Sequence, residues 1–281
     1  MDTLLSLLFT GDKEAALQAI LDVYHRKHFC IVDYVYFANI YGKKMFASHS
    51  APYDQKAFAG LLLDGYKRTE KEQIFTVYQD ALRHADILLP DGIALQIFDF
   101  LARRRWLHNL NGTDFAPYVL ESLVQQSGTS RVRILLYGTY PDLLQKTKKF
   151  LQDKWYQVVY AQDGYTNLDW DQIQKVLPPQ EDSIDVLLVA RSTPDYPIQE
   201  IWSYANTEKI AHHRLLVMNQ AGTFDWRVWA QKRPPKLVRH LKLEWLSRLI
   251  MDPKRNYKKV LNSLGIVVYI FSYLLLKKRP R

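Results

Sequence analysis

One aspartate stands directly between an apolar run and an amphipathic pattern, in the segment Pro90-Asp91-Gly92 that follows Leu88 and Leu89. A carboxylate fixed at the end of a strand can reach a ligand at the rim of a pocket, and the amides at the start of the next helix favour its ionised form. Asp91 is therefore the leading candidate for a general base. The alternative is that Asp91 only caps the following helix, which is the more common role of an isolated Asp-Gly pair.

Two further polar segments stand where helical patterns begin. Asn111-Gly112-Thr113-Asp114 opens a helical pattern and has the form of a helix N-cap, which by itself indicates no function. Pro194 and Pro197 stiffen the loop before Gln199 and Glu200. These two side chains are predicted either to hydrogen-bond a polar ligand or simply to begin a helix.

The segment Gly222-Thr223-Phe224-Asp225-Trp226 also follows an apolar run. Asp225 can accept a hydrogen bond from a sugar hydroxyl or from the ring of a base, and Phe224 or Trp226 offers a face for stacking. Capping of a helix is again the alternative.

Several common catalytic motifs are missing from the sequence. It has no Gly-x-Gly-x-x-Gly, no Walker A lysine motif and no Gly-x-Ser-x-Gly. Dinucleotide oxidoreduction, P-loop nucleotide hydrolysis and serine esterase chemistry therefore lose support. No Cys/His group has the spacing of zinc ligands. Cys30, the single cysteine, rules out an intramolecular disulfide and favours a reducing compartment.

Apolar runs typical of strands alternate with helical patterns along most of the chain. This alternation predicts an α/β fold, a largely parallel sheet flanked by helices. The runs end in polar or small residues, and ligands bind beyond the carboxyl ends of parallel strands, so the polar candidates are expected to gather at one edge of the sheet. The predicted strands are 29–38, 86–89, 132–137, 157–161, 185–190 and 214–218.

The helical patterns are clearest after the second and third predicted strands. Ile93, Ile97 and Leu101 share one face of a predicted helix. Pro141 suits the first turn of a helix that runs to about residue 152. The segment 48–73, with its cluster of lysines and glutamates, is predicted to be a mobile loop or an insertion.

The positive charge of the chain is concentrated in its last fifth. Residues 226–281 hold 15 lysines and arginines against two acids, whereas residues 1–225 hold four more acids than bases. An apolar run of about 12 residues, 265–276, precedes the basic end 277–281. We therefore predict two domains, an α/β domain over 1–235 and a basic amphipathic appendage over 236–281 that binds an anionic membrane surface.

Other interpretations of the basic appendage are less favoured. Its final apolar run is shorter than the roughly 20 residues of a spanning helix, which favours a segment in the membrane interface over a short or tilted span. A solvated surface or a nucleic-acid patch would also explain the charge. No nucleic-acid motif accompanies it, and an uninterrupted run such as Ile266-Val267-Val268 is not needed to bind phosphates, so no nucleic-acid partner is expected.

Taken in their order along the chain, the polar segments resemble those of the WecG/TagA/CpsF family of bacterial glycosyltransferases. The resemblance runs from about residue 31 to 257, and the Glu-Trp-Leu-x-Arg-Leu at 244–249 with Asp-Pro-x-Arg at 252–255 is its most specific part. The other matching segments are 85–92, 111–114, 136–138, 163–165, 197–200, 222–225 and 233–236.

This resemblance implies a Rossmann-like fold and an inverting transfer of a hexose-type sugar, without a required metal or cofactor. The donor would be a UDP-sugar, with N-acetylmannosamine, its uronic acid and glucose all consistent with the family. The acceptor would be a sugar on a polyprenyl diphosphate, in surface polysaccharide biosynthesis. A peripheral protein on the cytoplasmic face of the bacterial cell membrane is expected, and the oligomeric state, a homo-oligomer included, is left open.

The resemblance also implies roles for individual residues. Asp91 would be the base, and Gln199, Glu200 and Asp225 would line the nucleotide-sugar pocket. Arginines of the appendage would act at the active site, with Arg239, Arg248 and Arg255 as the candidates by position. The remaining predicted substrate-binding residues are Asn39, Gly92, Thr113, Asp114 and Gly138.

The sequence departs from the family pattern at four places. Ala221 replaces an expected glycine, and the segment 48–73 is longer than usual. Phe37 stands where family members usually have a threonine before Asn39, and the loop 192–200 is lengthened. The alternative to an active enzyme is therefore an inactive member that acts as a membrane-tethered scaffold of a polysaccharide assembly complex.

Overall fold

The computed structural model describes residues 2–35, 71–177, 183–191, 198–220 and 224. Five of the predicted site residues lie outside these ranges, as does the boundary predicted between the two domains at 235/236. They are Asn39, Asp225, Arg239, Arg248 and Arg255.

The described chain forms a sheet of six strands flanked by helices. All adjacent strands pair in parallel, in the order β2-β1-β6-β5-β3-β4. This arrangement confirms the predicted Rossmann-like α/β fold. The strands are β1 Cys30–Val35, β2 Ile87–Pro90, β3 Val132–Gly138, β4 Gln157–Gln162, β5 Ile184–Ala190 and β6 Leu215–Asn219.

Nine α-helices are described in these ranges, and they lie on both faces of the sheet. A 3-10 turn, Thr129–Arg131, leads into β3. In chain order the helices are α1 Asp2–Leu7, α2 Lys13–Lys27, α3 Lys71–His84, α4 Ile93–Arg103, α5 Gly112–Ser127, α6 Pro141–Asp153, α7 Trp170–Val176, α8 Ile198–Ala205 and α9 Thr207–His212.

Alternate residues of each central strand belong to separate hydrophobic cores. In β5, Val186 and Leu188 pack toward α2, α5 and α6, whereas Leu187 and Val189 face the side that holds α7, α8 and α9. Further along that second face, α1, α3 and α4 cover β2. Because both faces are covered, the inner strands read as largely apolar runs. The sequence therefore located both ends of β3, β5 and β6 and the start of β1 within one residue, whereas residues 36–38 of the predicted first strand lie outside the described residues.

One predicted loop is partly wrong. Lys71–Gln73, assigned to a mobile loop or insertion over 48–73, form the first turn of α3, and the rest of that segment lies outside the described residues. The helix is amphipathic: Tyr78, Ala81 and Leu82 recur at the spacing of three and four residues that buries one helical face. The charged residues at its start concealed this pattern.

In the part of the chain that the structure describes, no helix combines the length and the apolar character needed to cross a membrane.

The carboxyl ends of β3 and β5 approach each other closely at Gly138. Its φ is 120°, and an added Cβ would overlap the carbonyl group of Ala190. Thr139 N donates a hydrogen bond to that same carbonyl oxygen over 2.8 Å, and Gly164, after β4, packs on the other side of Gly138. Glycine is therefore required by backbone packing here, whatever its role toward a ligand.

We expect Gly138→Ala to lower the free energy of unfolding by at least about 2 kcal/mol more than Gly128→Ala. Gly128 also has a positive φ, 84°, but an added Cβ there meets nothing within 4 Å. The two variants thus share the backbone strain and differ in the overlap. Urea denaturation of both proteins would measure the difference, and equal stabilities would refute the close approach.

Candidate functional site

The predicted site residues that the structure describes lie at the carboxyl edge of the sheet or in helices that begin there. Asp91 and Gly92 follow β2, at one side of the sheet, and Gly138 ends β3. Three strands separate β2 from β3, which places their ends about 19 Å apart at the usual strand spacing. Gly138 and Asp91 therefore cannot act on the same ligand atom.

Asp91 is not the residue that caps α4. Gly92 occupies the N-cap position with a φ of 91°, and glycine has no side chain with which to form a cap hydrogen bond. The amide of Asp91 donates to the carbonyl of Val35 over 2.8 Å, and the amide of Gly92 donates to Oδ1 of Asn109 over 3.0 Å. These bonds fix the backbone around a side chain that is half-buried. Asp91 therefore lies one residue before the N-cap position of α4, and its role toward a ligand stays a prediction.

A buried phenol lies in the field of Asp91. Burial raises the pKa of Tyr34 well above its usual range, and the charges of Asp91 and Asp33 raise it further. The ring packs against Gly112, where an added Cβ would come within 3.4 Å of it. Among the described residues the hydroxyl group has no hydrogen-bond partner. Tyr34 therefore keeps its proton and offers an unused donor beside the candidate base.

The predicted N-cap at Asn111 is confirmed. Its Oδ1 accepts from the amide of Asp114 over 3.1 Å, and its Nδ2 donates to Oδ2 of Asp114 over 3.3 Å. Thr113 is half-buried, whereas Asp114 is exposed. The segment reaches the end of β2 through a bond of 3.0 Å from the amide of Leu110 to the carbonyl of Pro90. Asp114 thus has a structural role in the start of α5.

Gln199 and Glu200 lie in the first turn of α8, and both are buried. Gln199 Nε2 donates to Oε1 of Glu200 over 3.1 Å. Deeper along the same face, Ser203 Oγ donates to Oδ1 of Asn219 over 2.9 Å, and Asn219 Nδ2 donates to Oδ1 of Asp33. Gln199 and Glu200 therefore begin a helix, as one interpretation predicted, and they also face a buried polar cluster; their role toward a ligand stays a prediction.

Asp33 and Glu200 form a pair of buried carboxyl groups. Burial, together with the charge of Asp33, raises the pKa of Glu200 to about 8. Burial also raises the pKa of Asp33 to about 7, against the hydrogen bond from Asn219, which lowers it. One oxygen of each group, Oδ2 of Asp33 and Oε2 of Glu200, has no partner among the described residues. Near neutral pH the two groups are not both ionised, so the pair retains a proton.

A cavity of about 180 Å³ opens on the opposite face of the sheet, between α5 and α6. The carboxamide of Gln220 reaches this cavity from the end of β6, and neither its oxygen nor its nitrogen has a partner among the described residues. Apolar side chains form most of the rest of the wall, including Leu120, Phe150, Leu188 and Phe224. Glu121, Thr147 and Lys154 complete the wall, so the cavity offers an apolar surface together with several polar groups.

Sequence reasoning missed three polar side chains at this edge, Asp33, Arg191 and Gln220. All three are buried. Asp33 interrupts the apolar run of β1, and a charged residue inside a buried strand is expected to have a partner or a function. That signal was available in the sequence. For Arg191 and Gln220 the sequence indicated only that a polar residue follows the apolar run of a strand.

The sequence is similar to that of a known family and of one of its characterised relatives. The sequence model of the glycosyl transferase WecG/TagA/CpsF family matches residues 71–280. The chain is also similar to the N-acetylglucosaminyldiphosphoundecaprenol N-acetyl-beta-D-mannosaminyltransferase of Bacillus subtilis (strain 168), with 26% identity over 193 residues. This match covers 66% of the chain and 68% of the relative.

The buried carboxyl pair predicts a stability that falls as the pH rises. The pKa of Asp33 increases from 3.8 to about 7 on folding, so between these values the folded protein holds a proton that the unfolded chain releases. The carboxamide of the Asp33→Asn variant takes up no such proton. Between pH 5 and pH 8 the unchanged protein should therefore lose about 2–3 kcal/mol of unfolding free energy that the variant does not lose. Urea denaturation at both pH values measures this, and a difference that does not change with pH would contradict it.

Proposed function

The chain belongs to the WecG/TagA/CpsF family of glycosyltransferases, and we propose that it moves a hexose-type sugar from a UDP-sugar to an acceptor on a polyprenyl diphosphate. The Bacillus subtilis relative supports this acceptor class, because its name describes transfer onto N-acetylglucosaminyldiphosphoundecaprenol. The observation that carries the proposal is the position of Asp91, half-buried at the carboxyl edge of the sheet, directly after β2 and one residue before the N-cap of α4.

In this proposal Asp91 is the general base of a single displacement. Its carboxylate takes the proton of the acceptor hydroxyl while the hydroxyl oxygen attacks the anomeric carbon of the donor. The bond between that carbon and the diphosphate breaks, and its electrons leave with UDP, so the configuration at the anomeric carbon inverts. The hydroxyl group of Tyr34, which is buried and feels the charge of Asp91, would donate a hydrogen bond near the reacting groups.

Negative charge grows on the departing diphosphate, and cationic side chains can stabilise it in place of a metal ion. Arg239, Arg248 and Arg255 of the basic appendage are the residues we propose for this role. Glu200, whose pKa is raised to about 8, holds its proton near neutral pH. Its protonated carboxyl group can therefore donate a hydrogen bond to the UDP-sugar. A neutral carboxyl group there also avoids repulsion of the diphosphate.

The cavity beside Gln220 is our candidate for the uracil ring. A carboxamide offers one donor and one acceptor in a plane, which matches the adjacent N–H and C=O groups of uracil. Gln220 leaves β6 next to the end of β5, since its amide donates to the carbonyl of Val189 over 2.7 Å. A nucleotide whose base enters this cavity can therefore extend its diphosphate across the ends of the central strands.

Asp91→Asn should reduce sugar transfer by about 100-fold or more, because an amide cannot accept the hydroxyl proton. Binding of UDP should be nearly unchanged. Asp12→Asn is the matched control: Asp12 caps α2 through the amides of Glu14 and Ala15, and asparagine caps equally well. Transfer of radiolabelled sugar to a polyprenyl-diphosphate-linked acceptor measures both variants. Full turnover by Asp91→Asn would remove the residue from the mechanism.

We also propose that residues 236–281 hold the protein on the cytoplasmic face of the cell membrane. The acceptor is carried by a lipid, so the enzyme must work at the bilayer surface. Lysines and arginines beside an apolar run bind anionic lipid headgroups and insert apolar side chains below them. This charge and this run both lie in the last fifth of the sequence.

Removal of 262–281 should release the protein from vesicles that contain anionic lipid, as measured by co-sedimentation. The full chain should bind anionic vesicles more tightly than neutral ones, and salt should weaken that binding. Trp155→Ala serves as the control, because Trp155 is the most exposed large apolar side chain described in the α/β domain, at 84%. Unchanged binding of the shortened chain, or lost binding of the Trp155 variant, would argue against the appendage as the anchor.

A further inference from the structure

Two buried arginines of the sheet and its edge differ in the hydrogen-bond partners of their guanidinium groups. Arg133 and Arg191 are 5% and 3% exposed. At the amino end of β3, Arg133 forms a bidentate pair with Asp185, with Nε to Oδ1 at 2.6 Å and Nη2 to Oδ2 at 2.8 Å. At the carboxyl end of β5, Arg191 donates from Nη1 to the hydroxyl of Tyr137 at 2.6 Å. Among the described residues, its Nε and Nη2 have no partner.

The nitrogens that lack a partner in Arg191 are the same two that bind the carboxylate in Arg133. Together Nε and Nη2 form one edge of the guanidinium group, a fork that matches two oxygens of a carboxylate or a phosphate. A buried cation is expected to be paired, because leaving its donors unmet is unfavourable. Among the described acids, Asp163 is the one whose charge acts on Arg191, and its Oδ1 accepts from the amide of Tyr165 over 2.9 Å.

Tyr137 fixes the orientation of the guanidinium group. The Arg191 Cζ atom lies 4.9 Å from the centre of the Tyr137 ring. The Tyr137 hydroxyl donates to the carbonyl of Thr166 over 2.9 Å, so its lone pair is directed to Arg191. On its other side the ring packs on Trp202, with 5.0 Å between ring centroids. A fork that is held in place before a ligand arrives loses little entropy on binding.

Arg191 lies where a ligand bound at the carboxyl ends of the strands could contact it. The residue before it, Ala190, pairs with Gly138 of β3, and Val189 pairs with Asn219 of β6. Arg191 therefore leaves the middle of the sheet, one strand from Gln220. This is the part of a parallel sheet where ligands bind.

We propose that Arg191 binds an oxyanion of the sugar donor through Nε and Nη2. The proposal rests on the function proposed above. Two groups of a donor have this chemistry, the diphosphate of UDP and the carboxylate of a uronic acid sugar. Arg191 would hold the chosen group in place during transfer, beyond the roles of Asp91 and of the arginines in the appendage.

The test is ligand binding by the purified full-length protein and its Arg191→Lys variant, measured by calorimetry. Lysine keeps the charge and loses the fork. We expect the variant to bind UDP and UDP-glucose about 10- to 100-fold more weakly, with uridine affinity unchanged, if the diphosphate is the ligand. A loss confined to UDP-glucuronic acid would assign the carboxylate instead. A loss below about twofold for every UDP compound, or an equal loss for uridine, would overturn the proposal.

Arg133→Lys is the matched control. It should lower the melting temperature, because it breaks the bidentate pair with Asp185, and it should not weaken UDP relative to uridine. A selective loss of UDP affinity in this control as well would overturn the assignment to Arg191, since any buried arginine would then give the effect.

Two further measurements separate this inference from the proposed function. If the unchanged protein binds no uridine compound, the UDP-sugar function fails. Inorganic diphosphate then decides the inference: it should raise the melting temperature of the unchanged protein and not that of Arg191→Gln. If the variants do not fold, the Nε–H resonance of Arg191 in the unchanged protein should shift with UDP and not with uridine. A resonance that does not move would contradict the proposal.

Discussion

The parallel pairing of β6 with β1 on one side and with β5 on the other is the constraint on which the rest of the structure depends. It brings the carboxyl ends of three buried strands together, although they are far apart in the sequence. Parallel strands need helices on both faces, and α8 excludes water from the polar side chains that these strand ends present. Burial of Asp33, Glu200 and Arg191 is therefore a consequence of the topology.

The polar and charged groups at the two edges of the sheet differ in whether their atoms have partners. At the amino edge, Arg133 pairs with Asp185, and Asp86 accepts from both Lys27 and the amide of Ile31. At the carboxyl edge, buried carboxyl, guanidinium and carboxamide groups have atoms without partners in the described ranges. Such unmet groups lower stability, and our proposal is that a polar ligand at this edge completes them. An edge with donors, acceptors and a retained proton suits a nucleotide sugar.

Much of the fold could be predicted, because strands buried on both faces read as apolar runs whose ends are marked by polar residues. Asp91 was found in the same way, and Glu200 from its place after β5. The order of the strands could not be predicted, and therefore the contact between Asp33 and Asn219, 186 residues apart, was hidden. The start of α3 was also missed, since its charged first turn resembles a loop. Residues outside the described ranges, including Asn39 and the appendage arginines, remain predictions.

The stereochemistry of the product tests the central claim most directly, because a single displacement assisted by Asp91 leaves no other outcome. The linkage formed from a UDP-sugar of known anomeric configuration would be determined by NMR. A product of the opposite configuration is predicted. Retention of the configuration of the donor would contradict the account, since it would require a second displacement or a different attacking group.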